Sequence, residues 1–202
     1  MVLTRLRTIA LTLYLIFLGS LASAWETGDI IFHESTSQQS RVIQQVTGSR
    51  YSHMGMIVKR GEATFVLEAI NRVSLTPLKQ FIDRGVDGHY VVKRLRPEHC
   101  PSQAQWEKIE DLAESWIGLE YDLVFGWSDE KMYCSELIWK LYKRGAQIRI
   151  GELVTFADLD LSQSATQALI RSRTNSLDLN ERIVTPQAMF NSDKLTLVLT
   201  TP

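Results

Sequence analysis

Residues Tyr51–Ile70 read YSHMGMIVKRGEATFVLEAI. Two runs rich in β-formers, 51–58 and 64–70, flank Lys59-Arg60-Gly61-Glu62, which is a hairpin signal. An even loop centred on Arg60-Gly61 sets Lys59 against Glu62, Val58 against Ala63 and His53 against Glu68. Opposed residues project to one face with Cβ atoms about 4.5–5.5 Å apart. The strand around His53 is apolar on both faces, so its imidazole is either a satisfied core group or a base. Glu68 lies in the apolar run from Phe65 to Ile70, where a charge is costly unless paired. This register gives it the imidazole as partner. A carboxylate on one ring nitrogen turns the other outward as a general base; the same pair also reads as a structural ion pair.

Working outward, Gly28 leads into a short buried strand at Asp29-Ile30-Ile31-Phe32. Ser35-Thr36-Ser37 offers N-caps for a helix bearing Val42, Ile43 and Val46 and closed by Gly48. Pro77 begins a short helix with Leu78, Phe81 and Ile82, ending at Gly85, and Tyr90-Val91-Val92 is a further strand. Beyond Pro101-Ser102, the spacing of Trp106, Ile109, Leu112, Ala113 and Trp116 predicts a helix terminated by Gly118. A turn-rich aromatic stretch, Tyr121 to Tyr133, precedes a helix from about Cys134 with Leu137, Ile138 and Leu141 on one face. Gly151 to Leu179 is polar and reads either as a lid or as a surface excursion. Thr185-Pro186 resembles an N-cap with proline at the first helical position, and Leu195 to Leu199 is a closing strand. Antiparallel strands grouped in the first half, with helices around them, predict an α+β fold, a small antiparallel sheet packed against helices.

Cys134 shares its helical face with Leu137, Ile138 and Leu141, so the thiol sits at the first turn and points toward the core. Unsatisfied N–H groups and the positive end of the helix dipole favour its thiolate, the nucleophilic form. Alone, it reads more readily as a small buried hydrophobe. A strand histidine with a facing carboxylate gives the thiol the partners of a nucleophile. Glu136, in the same first turn, reads as a capping or dipole-compensating residue.

The ordered set Gly28-Asp29-Ile30-Ile31-Phe32, Tyr51-Ser52-His53-Met54-Gly55, Glu68-Ala69 and Tyr133-Cys134-Ser135-Glu136 closely resembles the circularly permuted papain-like hydrolases of the YiiX and YaeF type, relatives of the NlpC-type cell-wall peptidases. The likeness continues through Tyr121-Asp122, Trp127-Ser128-Asp129 and Thr185-Pro186-Gln187-Ala188. In ordinary papain-like enzymes the cysteine precedes the histidine; here His53 precedes Cys134, as in the permuted branch. The resemblance implies Cys134 as nucleophile, His53 as general base and later acid, and Glu68 as the orienting group. It also implies a cysteine amidase or peptidase acting on cell-wall peptides or acylated amines. An oxyanion would be held by N–H groups at the start of the Cys134 helix, with Tyr121 or Tyr133 as a further polar contact or as buried, satisfied tyrosines. Phe125, Trp127 and Met132 flank the nucleophile and suit an apolar or acyl-bearing substrate, or else serve as packing. A lipid-directed thiol hydrolase or acyltransferase is the alternative within enzymes. From another class, a catalytically silent binding domain would carry a Cys100–Cys134 disulfide.

The ends and the composition bound these readings. Met1–Ala24 carries Arg5 and Arg7, no acid, an apolar run from Ile9 to Leu18 and Ala22-Ser23-Ala24, the pattern of a secretory signal cleaved before Trp25. Residues 25–202 then form one exported hydrolase domain, periplasmic or secreted, with acidic side chains in slight excess and no transmembrane segment. The whole chain of 202 residues is 45% hydrophobic and 22% charged with a net charge of −1; this is globular composition, and without a basic excess it does not suit nucleic acid as partner. His33, His89 and His99 lack metal-ligand spacing and read as surface or structural residues. No phosphate loop or dinucleotide fingerprint occurs, so neither metal nor cofactor is implied.

Overall fold

The computed structural model describes residues 25–201; the expected signal segment, Met1–Ala24, lies outside the described residues. The frame is a six-stranded antiparallel sheet in the order β10-β5-β1-β2-β3-β4. Its strands are β1 (Ile30–Ser35), β2 (His53–Arg60), β3 (Ala63–Ala69), β4 (Val73–Pro77), β5 (Gly85–Leu95) and β10 (Leu195–Thr200).

Helix α1 (Gln38–Thr47) joins β1 to β2. Ser37 caps it by accepting from Ser40 N, and Gly48, in the left-handed region, ends it. Helix α2 (Leu78–Asp83) follows directly from Pro77, which closes β4 rather than opening the helix, and Gly85 already belongs to β5. Helix α3 (Gln103–Trp116) starts at a capping box formed by Ser102 and Gln105. Short parallel strands β6 (Glu120–Tyr121) and β7 (Lys131–Met132) bracket the aromatic loop, and helix α4 (Cys134–Ala146) begins at once. Then come β8 (Val154–Thr155), helix α5 (Ser164–Arg173), β9 (Arg182–Ile183) and helix α6 (Pro186–Phe190).

Alternation along the strands sorts the core to two faces. Ile30, Phe32, Met54, Met56 and Leu67 pack with Ile109 of α3 and Leu137, Ile138 and Leu141 of α4. Ile31, Ile57, Val66 and Val92 form a smaller cluster under Phe81 of α2. The apolar stripe read on the Cys134 helix is therefore the one that seats α4 on the sheet.

The hairpin register differs from the expected one. Arg60 pairs with Ala63, Val58 with Phe65 and Met56 with Leu67, so the turn is Gly61-Glu62 rather than Arg60-Gly61. Gly61 adopts φ +59°, which a two-residue hairpin turn demands of its first central position and which glycine adopts without penalty. The correction moves pairing by two residues. A slip of two keeps every side chain on its face, whereas a slip of one would have turned Glu68 away from His53.

Candidate active site

His53 is the first residue of β2 and Cys134 the first of α4, so two element starts bring the chemistry together. The strand is anchored just before His53. Ser52 N donates to His33 O, its hydroxyl accepts from Ser35 N at 3.0 Å, and it makes a short hydrogen bond with Ser40 of α1. At the other start, the Glu136 carboxylate accepts from Tyr133 N at 3.3 Å and pairs with Lys140 at 2.7 Å. Burial pushes the Glu136 carboxyl up to about 7 against the pull of Lys140. The capping expectation for Glu136 is met in this form.

His53 Nε2 lies 2.6 Å from Glu68 Oε2, and the Cys134 side chain is near enough to favour the protonated imidazole. With the observed register these two strand residues meet diagonally on one face rather than directly opposed, within reach of long side chains. Glu68 is fully buried. Its other oxygen accepts from Thr76 Oγ1 of β4 at 2.5 Å and from the Arg84 guanidinium at the end of α2. Burial would raise the Glu68 carboxyl, but His53, Thr76 and Arg84 outweigh it and hold it at about 2. Burial would likewise lower His53, but the hydrogen bonds and charges of Cys134 and Glu68 carry it up to about 9. An imidazole that keeps its proton to that pH can act as an acid toward a neighbouring group.

Gly55 makes room for this arrangement. A Cβ there would lie 2.4 Å from Val66 Cγ1, 2.7 Å from Leu67 O and 3.3 Å from Glu68 Cβ, so β3 would have to move away from β2 beside the carboxylate. Gly55→Ala is expected to lower stability by about 1–3 kcal/mol, the range for overpacking, measured by urea unfolding. An unchanged unfolding midpoint would show that the strands yield freely.

His33 stands directly across from His53 in the β1–β2 pairing and stacks on Phe81, with ring centroids 4.3 Å apart. It is buried, with its pKa lowered to about 3, chiefly by burial and then by the charge of His53. His33 is thus a neutral wall of the site, the structural reading of the two open to it. His89 is buried as well, beside Thr201.

Tyr121 Oη accepts from Gln39 Nε2 of α1 at 2.9 Å, which leaves its own proton to donate. Burial and the nearby charge of Cys134 keep its pKa well above the ordinary value. Tyr133 takes the other course. Its hydroxyl accepts from Val184 N at 3.1 Å while Ser135 Oγ donates to Val184 O at 2.8 Å, so it fastens the chain before α6 to the start of α4. Trp127 does not line the site. Its indole meets Trp139 edge-on at 5.3 Å and lies 4.8 Å from Lys140 Nζ; the following Ser128 and Asp129 bind that same ammonium. Of the other two flanking residues, Phe125 lines the cavity beside Cys134 and Met132 is wholly in the core. Cys100 and Cys134 are separate free thiols, the first exposed and the second buried, so the Cys100–Cys134 bridge named with the binding-domain reading is not formed.

Thr76, Arg84 and Gln39 went unread in the sequence. Val73–Pro77 alternates as a strand does and could have been read as one, which would have brought Thr76 beside Glu68; Arg84 and Gln39 carry no local signal.

A family model described as the permuted papain-like amidase enzyme, YaeF/YiiX, C92 family, matches residues 24–199. The chain belongs to that family. It is 43% identical over 180 residues, 88% of each chain, to the uncharacterized protein YiiX of Escherichia coli strain K12. The crystal structure of YiiX from Escherichia coli O157:H7 is similar with a TM-score of 0.81 and 42% identity, covering 87% of this chain and 97% of that one. The α+β architecture, an antiparallel sheet packed with helices, is the family's. The O157:H7 protein is described as a metalloprotein. Among the described residues of this chain no group of three or more His, Cys, Asp or Glu side chains is placed to hold a metal ion. At the cluster itself, both Glu68 oxygens are taken by protein donors.

Proposed function

We propose that this family member is an exported cysteine hydrolase that cleaves an amide, or an ester, through a thioester on Cys134. The observation that carries the reading is the relay in which fully buried Glu68, fixed by Thr76 and Arg84, orients His53 against Cys134. The thiolate attacks the carbonyl carbon. The resulting oxyanion is met by the backbone N–H of Cys134 and the free Tyr121 proton, donors set in advance where charge develops. The imidazolium of His53 gives its proton to the leaving nitrogen as the C–N bond breaks. Neutral His53 then takes a proton from water, the new oxygen–carbon bond expels the thiolate, and the carboxylic acid departs.

Substrates are peptides or acylated amines, cell-wall or lipid derived. The export part of this proposal rests on the signal-like pattern of Met1–Ala24 alone; no helix among the described residues is long and apolar enough to cross a membrane.

The test is thiol labelling of native, unreduced protein. At pH 6, where an ordinary thiol is almost wholly protonated, iodoacetamide is expected to modify Cys134 faster than exposed Cys100, and His53→Ala to remove that preference. Equal labelling of both cysteines, or preference for Cys100, would overturn the reading.

A further inference from the structure

The hydroxyl of Tyr121 enters the reaction above as a donor to the oxyanion, and what points its proton there lies outside the relay of Glu68, His53 and Cys134. Tyr121 ends β6, Gln39 is the second residue of α1 and Arg173 the last of α5. One line of hydrogen bonds joins these three elements. Arg173 donates through one guanidinium nitrogen to Gln39 Oε1 at 2.8 Å and through the other to Leu123 O, just beyond Tyr121, at 3.0 Å. Gln39 Nε2 in turn donates to Tyr121 Oη at 2.9 Å. Helix α5 belongs to the segment 151–179 that reads as a lid or a surface excursion, and it packs against α1.

The direction of this line follows from the chemistry of its members. A carboxamide presents an acceptor on one side and donors on the other, nearly alike in shape, so its partners decide which way it faces. A guanidinium has donors only. Arg173 therefore takes the Gln39 oxygen and leaves the nitrogen for Tyr121. Because that nitrogen donates, the phenol oxygen is the acceptor of the bond and its own proton points elsewhere. Among the described residues no protein acceptor takes it. Tyr121 borders the cavity next to His53 and lies within range of the charge of Cys134. With Gln39 turned over, its oxygen would accept the phenol proton and the oxyanion would lose a donor.

We propose that Gln39 and Arg173 are positioning residues that hold the Tyr121 proton toward the substrate oxyanion, so that α5 takes part in the reaction through an amide whose direction it fixes. This inference rests on the thiol-hydrolase reading above. It adds no covalent step: the proton stays on Tyr121 and the oxyanion accepts it as a hydrogen bond. The second bond of Arg173, to Leu123 O, fastens the chain just after β6. One guanidinium thus sets both the place of the tyrosine and the direction of its hydroxyl.

Gln39→Glu tests this with almost no change of shape. Ionised beside Arg173, the new carboxylate accepts from both neighbours, so Tyr121 donates to it instead of to the oxyanion. With 4-nitrophenyl acetate as the probe, kcat is expected to fall about 100-fold, as for the loss of one oxyanion donor, with KM changed by less than about threefold. Tyr121→Phe is expected to do the same, and the two substitutions together to cost no more than either alone. Arg173→Met, which frees the amide to turn, is expected to cost about tenfold, the worth of one hydrogen bond. Arg173→Lys, again a donor only, is expected to recover most of that loss. Alkylation by iodoacetamide displaces iodide at a saturated carbon and forms no oxyanion, so Cys134 labelling at pH 6 in Gln39→Glu is expected to stay within about twofold of the wild-type rate. Urea unfolding of Gln39→Glu is expected to be unchanged or to need more urea, since an amide contact with Arg173 becomes an ion pair; a merely structural role for Gln39 would not separate stability from kcat in this way. Two outcomes overturn the positioning role and leave the thiol-hydrolase reading in place: an unchanged kcat in Gln39→Glu, or labelling that falls in step with kcat because the new charge acts on the thiol itself. Absence of preferential Cys134 labelling in the wild-type chain overturns both.

Discussion

Cys134→Ala and His53→Ala are each expected to lower kcat/KM by about 10,000-fold or more on any amide the wild-type chain hydrolyses, and the double substitution to lower it no further. Groups that act as one unit lose nearly everything with the first member, so their effects do not add. The geometry makes these two such a unit: the imidazole keeps its proton to about pH 9 partly because Cys134 is beside it. Without the imidazolium the thiolate loses its charge partner, and the leaving amine loses its acid. Cys134→Ala removes a small side chain at a helix start, and far-UV circular dichroism is expected to match the wild type. His53→Ala leaves Glu68 still bonded to Thr76 and Arg84, so the folded state survives with a lower midpoint. If His53→Ala keeps more than a tenth of the activity, or if the double variant is further reduced by the product of the single losses, the two side chains do not act together.

The fold and the catalytic pair were legible for different reasons. Periodicity is a property of the chain itself, so the α4 stripe of Leu137, Ile138 and Leu141, the α1 caps and the β2–β3 hairpin could all be read directly. Register depends on which turn residue takes positive φ, and choosing Arg60-Gly61 over Gly61-Glu62 displaced the pairing by two. The His53–Glu68 contact survived because an even displacement keeps the face. Thr76 and Arg84 were out of reach because they arrive from β4 and α2 through tertiary contacts with Glu68. Trp127 had two readings, lining the site or packing, and packing is the one the structure shows: β7 and the turn into α4 lie between it and Cys134, and the indole packs on Trp139. The packing of 151–179 had no local signal at all. Its apolar residues, Leu159, Leu161, Leu169 and Ile170, become a wall only when set against α1.

Glu68→Gln is expected to change stability and pH dependence together, a pattern that a residue serving stability alone would not produce. Removing one member of a buried charge cluster costs about 3 kcal/mol, because the remaining charges lose compensation. The pH window follows from the two shifts. The Glu68 carboxyl is held at about 2 against an ordinary 4.5, so its stabilisation is present above 4.5 and is lost as pH falls toward 2. His53 is raised to about 9 from 6.5, so its stabilisation is fully present below 6.5 and is lost as pH rises through 9. The wild-type advantage over Glu68→Gln in urea unfolding is therefore expected to be greatest between pH 4.5 and 6.5 and to shrink on both sides. Activity shifts by the same cause. The reaction needs protonated His53 as the acid, so the alkaline limb of kcat/KM is expected near pH 9 in the wild type. In Glu68→Gln the amide no longer supplies a negative charge to hold that proton, and the limb is expected at lower pH, with kcat falling more than KM changes. An alkaline limb that stays near 9 in Glu68→Gln would leave Cys134 as the sole support of the imidazolium and reduce Glu68 to packing.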